Sequence, residues 1–119
     1  MRTFTTGATR DEDKEKPDYE GYLSPAVIER FGQYMTKHRV QADKTIRDSD
    51  NWQHGIPRDV YMKSMWRHLM DVWLCHRKNH QLSREGITGL EDATCALLFN
   101  VMGYLSELLI ANQKANRGI

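Results

Sequence analysis

The segment from residue 57 to 77, PRDVYMKSMWRHLMDVWLCHR, limits the fold more than any other part of the chain. Wound as a helix, it places Tyr61, Met62, Met65, Trp66, Leu69, Met70, Val72, Trp73 and Leu74 over well more than half of its circumference, wider than the stripe of an ordinary surface helix. Such a rod needs cover on most sides. Pro57 fits the first helical turn, and Asp59 adds a charge favourable to the dipole there. The narrow polar arc holds Ser64, Arg67, His68, Asp71 and Cys75, residue types that bind phosphate or metal. Arg67 and Asp71 also form an i, i+4 pair, so an ion-paired surface beside a histidine is the alternative reading.

With 119 residues and 39% hydrophobic content, the chain fits one domain of limited core, and over-wide apolar helices then point to a homo-oligomer. Seventeen basic against sixteen acidic residues give no broad attraction to a nucleic-acid polymer; a small polyanion needs only a local cluster. No apolar run approaches a membrane span, and MRTFTTGATRDEDKEK lacks the apolar centre of a signal peptide, so a cytoplasmic protein with no membrane partner is expected. Cys75 and Cys95 both fall in helical segments and are expected as buried thiols.

Residues 1–22 repeat at neither helical nor strand spacing and are expected to form an irregular arm. Ser24-Pro25 then starts a helix to about His38, whose apolar face is Val27, Ile28, Phe31, Tyr34 and Met35, with Glu29 and Arg30 in solvent. Lys37-His38-Arg39 closes it with charge that suits a carboxyl end, a role open for Lys37 beside phosphate binding. A long connection, 40–56, carries Asn51-Trp52; connections of this length are functional or disordered. Trp52 there is either a stacking surface for a base or a packing anchor.

Thr88-Gly89-Leu90-Glu91 fits a capping box that opens a third helix, about 89–112. One stripe of this helix holds Asp92, Ala93, Ala96, Asn100, Gly103 and Glu107, and small residues there allow a close neighbour. A buried Asn100 needs partners, either on another helix or in a site shared with His68 and Asp71. Residues 114–119 read as a frayed tail, which leaves 23–113 as a single all-α domain of three main helices. Cys75, His76 and His80 have zinc-like spacing but straddle a helix end, which argues against zinc.

The segments KPDYEGYLSP, FGQYMTKHR, DSDNWQHGIP, YMKSMWRHLMD and GLEDATCALLFNVMGYLSEL, in that order, resemble the phage-encoded domain named for dATP/dGTP diphosphohydrolases, at its amino-terminal part. More distantly the chain is similar to the MazG-type all-α nucleotide pyrophosphohydrolases. The resemblance implies a helical oligomer in the host cytoplasm that acts as a phosphohydrolase on purine deoxynucleoside triphosphates with Mg2+. Lys37 and Arg67 would neutralise phosphates, Trp52 would stack on the base, and Asn51 and Asn100 would bind the nucleotide. Asp71, Glu91 and Asp92 would hold magnesium, with His68 and Asp71 as the catalytic pair. Where MazG-type enzymes carry two ExxE/ExxD-like pairs, this chain has His68-x-x-Asp71 and an adjoining Glu91-Asp92, followed by Thr94 and Cys95. A non-catalytic nucleotide-binding module, such as a sponge for a nucleotide signal, is therefore the alternative.

Overall fold

The computed structural model describes residues 1–77, 83–84 and 87–117. It is a mostly helical molecule with an irregular N-terminal arm. In the arm, β1 (Arg2–Thr3) and β2 (Thr9–Arg10) pair antiparallel around a turn in which Gly7 takes a positive φ, and α1 (Tyr19–Tyr22) is a single turn capped by Asp18. An arm without any regular structure was expected, and these two small features depart from that. A two-residue strand is too short to show periodicity.

The helix α2 (Pro25–Lys37) begins as its sequence indicates: the Ser24 hydroxyl accepts from the amide of Val27, and Pro25 occupies the first helical position. Helix α3 (Arg58–His76) starts one residue later than expected. Pro57 sits just outside it, with ψ at 142°. Gly55, at φ 104°, makes the bend that leads in, a conformation a side chain would resist. The pair β3 (Ser83–Arg84) and β4 (Ile87–Thr88) precedes α4 (Gly89–Asn116). Helix α4 continues past the expected end at 112, because Gln113, Lys114, Ala115 and Asn116 contain no helix breaker. The side chain of Thr88, half of the expected capping box, lies outside the described residues, as does His80.

Helices α3 and α4 form the main packing unit, and α2 lies against α4. The small-residue stripe on α4 makes this contact possible: Asp92, Ala93, Ala96, Asn100 and Gly103 are all buried. At Gly103 the approach is tight enough that an added Cβ would collide with the Tyr61 ring. Tyr61 packs edge-on to Phe99 at 6.0 Å. Tyr34, Ala93, Cys95 and Ala96 form the buried cluster, flanked by Phe31, Met35, Val72 and Cys75.

Much of the remaining apolar surface is open in the single chain. Met62, Trp66, Leu69, Met70 and Trp73 on α3 are exposed, as are Val101, Met102, Leu105 and Leu109 on α4. The radius of gyration is 19.3 Å, against the roughly 13–14 Å of a compact domain of this length. Helix α4 is also long and apolar enough to cross a membrane by length and composition, with a window of mean hydropathy 1.6. This corrects the expectation that nothing approached a span. Asn100, Gly103 and Ser106 interrupt the apolar run without lowering its average much.

Candidate functional site

The connection from residue 40 to 57 is folded, and its fold builds one wall of a cavity. The backbones of Val40 and Ile46 bridge antiparallel, and the amide of Arg47 donates to the carbonyl of Arg39 at 2.8 Å. The guanidinium Nε of Arg39 donates in turn to the Arg47 carbonyl, also at 2.8 Å. Inside this loop Asp43 accepts from both the amide and the hydroxyl of Thr45, which holds its carboxyl below the usual range. A 3-10 turn, Asn51–His54, then carries Trp52, and the amide of Ile56 donates to the Glu107 carboxylate of α4 at 3.2 Å. That bond pins the far end of the connection across the helix pair.

The cavity so enclosed has a volume of about 390 Å³. Its polar and aromatic lining comes from every layer: Tyr34 from α2 and His38 just after it, Arg39, Arg47 and the acid Asp48 from the loop, Asn51 and Trp52 from the 3-10 turn, Ser64 and His68 from α3, and Phe99 and Asn100 from α4. The rings of Tyr34 and His38 lie 4.2 Å apart, tilted by 39°. Burial, with the charge of Asp92 and the neighbouring Cys95, pushes the Tyr34 phenol up to about 12, so it stays a neutral hydroxyl. Behind His68 lies Asp71, 4% exposed, its carboxylate 3.4 Å from the imidazole Nδ1. The amide nitrogen of Asn100 donates to the Ala96 carbonyl at 2.8 Å, so part of its hydrogen-bonding capacity is met within its own helix.

Of the residues the sequence pointed to, Asn51, Trp52, His68 and Asn100 line this one cavity, and Asp71 backs it. Lys37 and Arg67 do not line it. Lys37 donates to Asp92 at 2.7 Å, and Arg67, exposed, donates to Ser64 at 2.9 Å. The cations at the cavity are Arg39 and Arg47 instead.

The expected magnesium set, Asp71, Glu91 and Asp92, is not brought together. Among the described residues no three His, Cys, Asp or Glu side chains gather as a metal site. Arg30 accounts for the difference. Expected in solvent, it reaches from α2 to Glu91 through Nε and to Asp92 through Nη2, both at 2.7 Å. With Lys37 on the second oxygen, both oxygens of Asp92 accept from cations. Its hydrogen bonds to Asp92 and then to Glu91 raise the Arg30 pKa above its ordinary value. A carboxylate held this way makes a poor magnesium ligand, because the ion would have to displace two charge-assisted bonds. Asp71, Glu91 and Asp92 therefore do not form a shared magnesium site in this arrangement.

Comparison of the chain with protein-family models, with curated proteins and with solved structures gives no match.

Proposed function

We propose that this chain is a nucleotide-binding module. The observation that carries the reading is the cavity beside α2 and α3, where Arg39 and Arg47, Trp52, and the amides Asn51 and Asn100 converge. A nucleotide presents an anion, a flat aromatic face and a polar edge, and the lining offers a counterpart to each. The volume lies within the range of small-molecule sites, near its lower end. The resemblance to the dATP/dGTP diphosphohydrolase domain adds the class of ligand, a purine deoxynucleotide.

Hydrolysis is a second reading favoured by one specific observation, the buried Asp71 behind an imidazole that faces the cavity. A carboxylate in that position fixes the orientation of the ring, which suits a base that takes a proton from water. With Asp92 bound to two cations, binding without turnover is the simpler function of this arrangement.

The test is calorimetry on the whole chain with a panel of purine and pyrimidine deoxynucleotides, repeated with Trp52→Ala. Purine triphosphates should bind, and the variant should bind them about ten- to hundredfold more weakly, the scale of a lost base–aromatic stack. Absence of heat with every nucleotide would refute the proposal. So would a variant that melts earlier yet binds as before, since Trp52 would then be a packing residue. Product analysis with and without magnesium on the same samples separates the two readings.

A further inference from the structure

We infer that a second copy of this chain docks along the open face of α3, helix against antiparallel helix, through a seam made of Met62, Trp66, Leu69 and Trp73. These four are spaced 4, 3 and 4 residues apart, the repeat of a coiled-coil seam. All four are exposed in the single chain, Trp66 at 65% and Trp73 at 53%. The spacing reads the same in either direction. Two copies crossing about a two-fold axis midway between Trp66 and Leu69 would therefore set Met62 against Trp73 of the second copy and Trp66 against its Leu69, then repeat both contacts by symmetry.

Charge supports the same register. Asp59 lies one helical step before the seam, and in the antiparallel arrangement it comes opposite His76 and Arg77 of the second copy. All three are exposed at the ends of α3. In a parallel arrangement Asp59 would meet its own equivalent. The formal net charge of +1 leaves little general repulsion to overcome.

Fully covered, the exposed portions of the two tryptophans with Met62, Leu69 and Met70 amount to roughly 500 Å² per copy, or about 1,000 Å² for the pair, the lower limit of a specific interface. The single chain also needs such cover. Its only buried apolar side chains among the described residues are Tyr34, Tyr61, Ala93, Cys95 and Ala96, a small core for 119 residues. The exposed face of α4, with Val101, Met102, Leu105 and Leu109, is the rival surface, but the acid near its start, Glu91, is already paired with Arg30.

Sedimentation of the full chain over a range of concentrations tests the inference. The wild type should sediment as a dimer, and Trp66→Glu as a chain of 13.9 kDa, with the dissociation constant raised on the order of a hundredfold and helix content unchanged. Asp59→Lys and Arg77→Asp should each weaken the dimer about threefold, and the double variant should recover it. A wild type that stays monomeric overturns the proposal. A dimer that resists Trp66→Glu but yields to Leu105→Glu moves the seam to α4 and overturns it too. Flotation of the wild type with phosphatidylglycerol vesicles, abolished by Trp66→Glu, would assign the face to a lipid surface instead.

Discussion

Asp71 and Asp92 are buried to nearly the same degree, 4% and 2% exposed, yet their surroundings differ completely. Asp92 accepts from Arg30 on one oxygen and Lys37 on the other, both at 2.7 Å, and so joins the first turn of α4 to the length of α2. Asp71 stands 3.4 Å from a histidine whose ring opens on a cavity. A buried carboxylate surrounded by permanent cations acts as a clamp between elements. One beside a titratable ring is placed to adjust that ring for whatever enters the cavity.

Removing the clamp should have the largest effect on the fold. Asp92→Ala deletes the acceptor of two charge-assisted bonds between α2 and α4, which otherwise meet through Phe31, Tyr34 and Met35 at the buried cluster and through the Arg30–Glu91 pair. Arg30 and Lys37 are partly open to water and can be rehydrated, so the loss should fall at the low end for a broken buried pair, about 3 kcal/mol. Denaturant unfolding measures it. A loss below about 0.5 kcal/mol would reduce the network to a surface ion pair.

Asp71→Asn sharpens the contrast from the other side. The amide keeps the shape and most of the packing, so unfolding should move by only about 1 kcal/mol. The change should appear in binding instead: the His68 imidazole loses a charged neighbour, and nucleotide affinity should fall several-fold. Asp92→Asn should do the reverse, costing stability while leaving affinity in place. Calorimetry and unfolding on the two variants give a two-by-two comparison. If both lose affinity equally, the division between clamp and site does not hold.

The difference between these two aspartates also explains which parts of the molecule could be read from the sequence. The helices were legible where local chemistry marks them, as at Ser24-Pro25 and Gly89, and so was the small-residue stripe from Asp92 to Gly103 that faces the rest of the fold. Asn51, Trp52, His68 and Asn100 stood out because an aromatic in a polar loop, or a polar group on an apolar helix, invites a reason. Arg39 and Arg47 did not stand out. Their place at the cavity depends on backbone pairing within the loop, which has no periodic signature. Glu91-Asp92 was misleading for a related reason: adjacent acids at a helix start look alike whether they await a metal or an arginine. Arg30, their partner, is about sixty residues earlier in the chain, at a position that helical periodicity alone assigns to solvent.

Tyr34 lies between the two arrangements and supplies the smallest test. It is 7% exposed, lines the cavity, and feels the charge of Asp92, so its phenol is raised from 10 to about 12 by burial first and by Asp92 and Cys95 after it. Below pH 10 the tyrosine is neutral in both folded and unfolded chains, and whatever its burial contributes is fully present. Above that the unfolded chain releases the proton more readily than the folded one, so the stability contributed by Tyr34 declines between pH 10 and about 12. Wild-type unfolding should therefore show a downward slope over this window, shallower in Tyr34→Phe by the share of one proton. If Asp92 is the clamp described above, Asp92→Asn should lower the Tyr34 titration midpoint measured by phenolate absorbance, because the negative charge opposing ionisation is gone. A midpoint unmoved by Asp92→Asn would leave burial and Cys95 as the causes and would separate Tyr34 from the clamp.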